Sequence, residues 1–170
     1  MEPVVRRTYA PRGKTPIQEA WHRKGRISAI SAVTVSPVRR RPNLYFRLLP
    51  ANANAHGEDT AAFLAQVRAQ LRGPMTILWD QSKIHKRSAV VRAYLARHPE
   101  IITEDFPGYA PELNPDEGVG GWTKYHRLPN YTPEDTRELR FRLWEELSGL
   151  SQRPDLLASF IRHADIPLGL

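Results

Sequence analysis

The sequence predicts an α/β fold in which a mixed β-sheet is flanked by helices. Short apolar or β-branched runs alternate with segments whose apolar residues follow a helical spacing. From residue 26 onward their order along the chain is strand, strand, helix, strand, helix, strand, helix, which is typical of this fold class. With 170 residues, 41% of them hydrophobic and 25% charged, the chain has the size and composition of one globular domain.

The strands are predicted from β-branched, small and aromatic residues bounded by proline or glycine. The strands at residues 26–35 and 44–49 are expected to pair antiparallel across an arginine-rich turn. The strand at residues 75–80, which follows Gly73-Pro74, is mostly apolar and is expected to be buried. The predicted strands cover residues 4–9, 26–35, 44–49, 75–80 and 101–103.

Two helices are predicted between these strands, because their apolar residues recur every three or four positions. Asp59 or Thr60 can cap the start of the first helix. The expected inward-facing residues are Phe63, Leu64, Val67 and Leu71 in residues 58–71, and Val90, Val91, Tyr94 and Leu95 in residues 86–98.

The C-terminal part of the chain is expected to be helical. Thr132 followed by Pro133 and two acids predicts a helix start at this point. Residues 1–128 are interpreted as the core, and residues 129–170 as a helical extension that packs on it. The leucine stripe of this extension comprises Leu139, Leu143, Leu147 and Leu150, and a last short helix holds Leu156, Leu157, Phe160 and Ile161.

The charge is unevenly distributed along the chain. Residues 1–50 hold 11 Lys and Arg against two acids, a net +9, whereas the other residues hold 14 basic and 16 acidic side chains, a net −2. A basic first part favours binding to a polyanion such as nucleic acid, although basic residues also serve solubility alone. There is no cysteine, no apolar run near 18 residues and no signal-peptide pattern, so we expect a cytoplasmic protein without a membrane span or disulfides.

Two stretches place acids where they can act together. Asp80 ends the apolar strand at 75–80, and Glu117 lies just after Pro115, which suits the first turn of a helix. The loop between Phe106 and Glu117 is stiffened by three prolines. Acids at the end of a strand and the start of a helix can hold a divalent cation through oxygen ligands.

The residues of these stretches resemble a known family. Trp79-Asp80 with His85, followed by the run Tyr109-Ala-Pro-Glu-Leu-Asn-Pro-Asp-Glu117, is similar to the catalytic core of mariner-like DDE transposases of the bacterial insertion-sequence branch. In that comparison Asp80 matches the second catalytic acid and Glu117 the third. Residues 6–16 resemble the segment after the family's first acid. The resemblance covers about residues 4–128.

This resemblance implies a ribonuclease-H-like fold in which three acids hold two Mg²⁺ or Mn²⁺ ions and DNA strands are cleaved and transferred. The implied partners are the transposon ends and target DNA. The chain has no Asp before Asp59, so the first strand of that fold, with its Asp, is expected to be missing. An upstream transposase segment or another copy would then be a partner. The alternatives are a catalytically inactive DNA-binding remnant and a plain structural domain.

Several basic residues are candidates for contact with DNA, each with a simpler alternative. The turn at 12–14 is either a phosphate-binding turn or a solvated hairpin tip, and the triple arginine either contacts phosphates or is a charged turn. His85 either orients phosphate or Asp80, or is incidental. The candidate DNA-binding residues are Arg12, Lys14, Arg39, Arg40, Arg41, His85 and Lys124.

Three further residues near the acids are given structural roles. Asn114 is expected to fix the proline loop through side-chain to backbone hydrogen bonds. Asp116 occupies the variable position of the motif and is interpreted as structural. Trp122 is expected to belong to the core.

Overall fold

The computed structural model describes residues 7, 9–14, 17, 25–82, 84, 87–164 and 166. The strand predicted at 4–9 lies largely outside these residues. The described strands are β1 (Ile27–Val35), β2 (Pro42–Ala51), β3 (Met75–Trp79) and β4 (Ile101–Asp105). The described helices are α1 (Gly57–Leu71), α2 (Ala89–Ala96), α3 (Pro115–Trp122), α4 (Thr136–Ser151) and α5 (Pro154–His163).

β1 and β2 form the predicted antiparallel pair, so this prediction is confirmed. Ile30 lies opposite Arg47 and Val33 opposite Leu44, with a register shift between Ile27 and Ala29. β-branched residues favour such a pleated surface. The hairpin packs against α4 and α5.

β3 and β4 form a parallel pair in which Met75 lies opposite Ile101 and Trp79 opposite Asp105. Among the described residues this pair is a sheet separate from β1–β2. The α/β class and the presence of both parallel and antiparallel pairs are confirmed. The joining of the two pairs into one mixed sheet stays a prediction, because the strand predicted at residues 4–9 lies largely outside the described residues.

β3 is half-buried, which corrects the expectation of a buried strand. Its alternate residues Met75, Ile77 and Trp79 pack against the cluster formed by α1, α2 and β4. On the opposite face, Leu78 is 42% exposed and Ile102 of β4 is 56% exposed. A strand has two faces, and here the helices cover only one of them.

The apolar core is divided between the two sheets. One cluster joins β2 to α3, α4 and α5 through Leu44, Val119, Leu147 and Leu157. A second holds β3 and β4 on α1 and α2. A third, around Ile27 and the start of α4, lies beside the first.

The first two helices differ from prediction at their ends. The N-cap of α1 is His56, whose backbone N–H donates to the Asp59 carboxylate at 2.9 Å, rather than Asp59 or Thr60. α2 begins at Ala89 behind the Ser88 cap. Leu71 and Val90 are exposed, not inward. Leu71 lies in the last turn of α1 and Val90 in the first turn of α2, at helix ends that extend past the surface on which each helix packs.

The leucine stripe of α4 is confirmed, since Leu139, Leu143, Leu147 and Leu150 are all buried. The predicted start at Thr132 is wrong. The helix begins three residues beyond Pro133, because the Asp135 side chain accepts hydrogen bonds from the backbone N–H groups of Arg137 and Glu138 at 2.7 and 2.8 Å.

This correction yields a stability prediction. Asp135→Ala is expected to lower the free energy of unfolding by about 1 kcal/mol, the usual cost of losing an N-cap. Thr132→Ala is the matched control and should change it by less than about 0.5 kcal/mol, as surface substitutions do. Chemical denaturation of both variants measures the difference. A larger loss for Thr132→Ala than for Asp135→Ala would contradict the assigned cap.

None of the helices in the described part of the chain has the length and apolar character needed to cross a membrane.

Candidate active site

Asp80 lies directly after the carboxyl end of β3. Its side chain is exposed, and one carboxylate oxygen accepts a hydrogen bond from the backbone N–H of Ser82 at 3.0 Å. This short-range bond holds the carboxylate in a turn at the edge of the sheet. The position agrees with the sequence, which put an acid at the end of this strand.

The proline loop leaves β4 beside Asp80. The backbone N–H of Phe106 donates to the carbonyl of Trp79 at 2.9 Å, and the Gln81 side-chain amide donates to the carbonyl of Phe106 at 3.1 Å. Parallel strands end at the same edge of a sheet, so the loop that leads to Glu117 starts next to the strand end that carries Asp80.

The loop ends in the predicted helix start. Asn114 caps α3: its side-chain oxygen accepts from the backbone N–H of Asp116 at 3.0 Å, and Pro115 is the first helical residue. The role predicted for Asn114 is therefore confirmed. Glu117 lies in the first turn of α3 and is exposed. Acids are favourable at this end of a helix, where the backbone N–H groups point outward.

Asp116 is held differently from its neighbour. One of its carboxylate oxygens accepts a hydrogen bond from the Ser31 hydroxyl of β1 at 2.8 Å. The other is buried and has no hydrogen-bond partner among the described residues. Burial raises the pKa of Asp116 to about 6, with a further upward contribution from Glu117, while the bond from Ser31 opposes the shift.

The sequence did not reveal Ser31 as a partner of the motif. Ser31 lies 85 positions before Asp116, and a small polar residue within a strand carries no signal of its own. A hint exists only in the alternation of β1, where Ser31 and Val33 share the face that packs on the helices.

The described residues contain no group of three or more His, Asp or Glu side chains placed to hold a metal ion. Asp80 and Glu117 therefore stand as a pair of candidate ligands on two different elements. That the two carboxylates share a metal stays a prediction.

The basic candidates in the described regions all lie on turns. Arg12 and Lys14 are exposed in a turn in which the N–H of Lys14 donates to Pro11. The three arginines at 39–41 are exposed at the tip of the β1–β2 hairpin, where the backbone of Arg39 and Arg40 bonds to Ser36. His85 lies outside the described residues.

Lys124 lies in a short π-helical turn, Thr123–Arg127, that continues α3. Its amino group is 5.4 Å from the ring centroid of Tyr125. Arg127 anchors the turn through an ion pair of 2.6 Å with the buried Glu146 of α4, which raises the pKa of Arg127. Trp122, expected in the core, is partly buried and packs against the cluster of α3, α4 and α5.

Comparisons with known proteins identify the family of the chain. The family model described as DDE superfamily endonuclease matches residues 1–140, and the chain belongs to this family. No curated protein matches the chain in sequence.

Solved structures of Mos1 transposase complexes have a similar fold. The Mos1 strand transfer complex matches with a TM-score of 0.55 at 16% identity, covering 94% of this chain and 50% of the Mos1 chain. A pre-cleavage Mos1 transpososome matches with a TM-score of 0.53 at 14% identity, over 96% and 52%. The Mos1 mariner paired end complex with Mn matches with a TM-score of 0.52 at 15% identity, over 94% and 52%. This chain therefore spans about half the length of the Mos1 chains it matches.

Proposed function

We propose that this chain is part of the catalytic domain of a DDE transposase of the bacterial insertion-sequence branch, which cleaves DNA at transposon ends and joins it to target DNA. The observation that carries the proposal is the pair of exposed carboxylates, Asp80 after β3 and Glu117 in the first turn of α3, within the stretch that the endonuclease family model matches. Residues 1–128 would be the catalytic core and residues 129–170 a helical extension. α4 and α5 pack against β2, which supports an extension that packs on the core.

Asp80 and Glu117 are proposed to hold Mg²⁺ or Mn²⁺. Both offer exposed carboxylate oxygens, which are hard ligands suited to these cations, and the chain has no cysteine that would favour a softer metal. One of the similar Mos1 structures is a complex with Mn. When bound, a pair of such cations stabilises the attacking and leaving oxygens of an in-line phosphodiester displacement. The residues of this chain would orient the DNA strand: Lys124 and the arginines at 39–41 through its phosphates, and His85 by orienting phosphate or Asp80.

A third carboxylate is proposed to come from a strand that pairs between β1 and β3. Among the described residues β1 pairs with β2 and β3 pairs with β4, and the apolar core is divided between these two pairs. Open strand edges accept a further strand through backbone hydrogen bonds. An upstream transposase segment or another transposase copy would supply it.

A catalytically inactive DNA-binding remnant is the second candidate function. It is favoured by the finding that the described residues hold no group of three metal-binding side chains. Under this alternative the basic turns would bind DNA, and Asp80 and Glu117 would be surface acids.

Mn²⁺ binding separates these two functions. We expect Asp80→Asn and Glu117→Gln each to weaken Mn²⁺ binding by about tenfold or more, since even the loss of groups that support metal ligands costs that much. Glu112→Gln is the matched control, because it removes an exposed acid from the same loop. Electron paramagnetic resonance titration measures the free ion. Equal affinity in all four proteins would contradict the metal site and favour the remnant.

Duplex DNA binding tests the basic hairpin tip. Replacing Arg39, Arg40 and Arg41 with Ala should weaken binding and reduce the slope of log K against log salt by up to ~3, because each phosphate contact contributes about one unit. Fluorescence anisotropy over a salt series measures both effects. The control is the triple variant of the exposed Arg92, Arg153 and Arg162, which removes the same charge elsewhere. Equal slopes for the two triple variants would contradict the assignment of the hairpin tip.

A further inference from the structure

Asp116 connects three parts of the fold. Its carboxylate accepts from the Ser31 hydroxyl on β1 at 2.8 Å, and its backbone N–H donates to the Asn114 side chain in the proline loop at 3.0 Å. It is itself in the first turn of α3, one residue before Glu117. The residue thus joins the hairpin sheet, the loop and the helix that carries the candidate ligand.

The buried carboxylate of Asp116 does not by itself stabilise the fold. One oxygen of Asp116 is buried without a hydrogen-bond partner among the described groups. A buried carboxylate that lacks part of its hydrogen bonding costs free energy, and an amide or an apolar side chain would cost less. We therefore look for the role of Asp116 in the position that it gives to α3.

α3 needs outside support to hold its position. It has eight residues, three of which are Gly118, Gly120 and Gly121. So short and glycine-rich a helix does not form by itself in water. Val119 is buried in the cluster with α4 and α5, and Gly118 lies so close to Phe160 that an added Cβ would be 2.8 Å from the ring. These contacts hold the middle of the helix, whereas Ser31 holds its first turn.

We propose that Asp116 is a positioning residue: its hydrogen bond with Ser31 fixes the first turn of α3 on β1 and so sets where Glu117 presents its carboxylate. The role of Glu117 as a metal ligand in this statement rests on the proposed function. The hydrogen bond between Asp116 and Ser31 does not rest on the proposed function, because it concerns only the position of the helix.

The test uses Ser31→Ala, Asp116→Ala and Asp116→Asn, with Asp155→Ala as the matched control. Asp155 is an exposed acid in the first turn of α5. We expect Ser31→Ala and Asp116→Ala to speed amide hydrogen exchange at residues 116–119 by about tenfold or more, the size expected for one hydrogen bond to a charged group. Asp116→Asn keeps an acceptor for Ser31 and should restore slow exchange. Exchange in α1 and in the later turns of α4 should be unchanged in all variants.

Mn²⁺ affinity provides the second readout. Ser31→Ala and Asp116→Ala should weaken it several-fold, whereas Asp116→Asn should keep it near the wild-type value. Asp116→Ala should do so without lowering the midpoint of thermal unfolding, because it also removes the buried carboxylate, whereas Ser31→Ala leaves that carboxylate without its bond and should lower the midpoint. Unchanged exchange at residues 116–119 in both Ala variants would overturn the proposal, as would an Asn variant that behaves like the Ala variant. If Glu117→Gln leaves Mn²⁺ affinity unchanged, the proposed metal site is contradicted. The hydrogen-exchange measurement still tests whether the bond between Asp116 and Ser31 holds the first turn of α3.

Discussion

Metal-dependent DNA cleavage is expected from a form of this chain completed by a strand with a third carboxylate, and not from the 170-residue chain alone. Asp80 and Glu117 are two proposed ligands on separate elements, and the described residues contain no group of three side chains placed to hold a metal ion. With two carboxylates of three, the second cation of a two-metal site is weakly held, and the in-line displacement loses its electrostatic stabilisation.

The measurement is nicking and strand transfer on a labelled duplex with Mg²⁺ or Mn²⁺. The completed form is this chain together with the proposed strand, supplied by an upstream transposase segment or by another transposase copy. In that form Asp80→Ala and Glu117→Ala should each reduce cleavage by about 100- to 1000-fold, the cost of removing one strong electrostatic contact to a transition state. Glu112→Gln should cleave like the parent.

Two results would contradict this expectation. Cleavage by the short chain that depends on metal and disappears on Asp80→Ala would mean that its own residues complete the site. A completed form that folds, binds DNA and still does not cleave would favour the inactive remnant.

Asp116 is expected to make the protein less stable as the pH rises from about 4 to about 6. Burial raises the pKa of this carboxyl from 3.8 to about 6 in the folded state. The folded protein therefore binds the proton more tightly than the unfolded chain does. Stability is highest while the group is protonated in both states, and it is lost as the pH rises through the folded-state pKa. The free energy of unfolding falls by roughly 3 kcal/mol, from about 1.4 kcal/mol for each unit by which the folded and unfolded pKa values differ.

Comparison with Asp116→Asn isolates this effect. The Asn variant should be more stable than the parent at pH 7 by roughly that amount, with the difference vanishing below about pH 4. Glu100 and Glu138 have lowered pKa values, because of the Arg68 side chain and the Glu134 backbone N–H respectively, and so act in the opposite direction. They are present in both proteins, and their contributions cancel in the difference. Urea denaturation at a series of pH values measures it, and a difference independent of pH would contradict the burial of Asp116.

Local sequence patterns predicted the elements well and their ends poorly. The β-branched run of β1 and the leucine stripe of α4 were recognised because each has the period of its structure. The start of α4 was placed at Thr132, although Asp135 caps the helix. Both residues can cap, and the choice depends on which side chain reaches the free N–H groups after the chain has packed.

The individual residues of the candidate site were predicted from the sequence, but the long-range contact that joins two of its elements was not. Asp80 at the end of β3, Asn114 as the cap of α3 and Glu117 in its first turn all follow from neighbours within a few positions. The bond from Ser31 to Asp116 spans 85 positions, and no local pattern contains both residues. It decides how α3 sits on β1.

The order of strands and helices, the basic N-terminal part and the two motif acids can be read from the sequence, because periodicity, charge and short motifs are properties of neighbouring residues. The parallel pairing of β3 with β4, the exposure of one face of this pair and the burial of the Asp116 carboxylate beside Ser31 of β1 are visible only in the folded structure. These features depend on which surfaces meet after folding, since burial and strand pairing arise between residues that are distant in the chain.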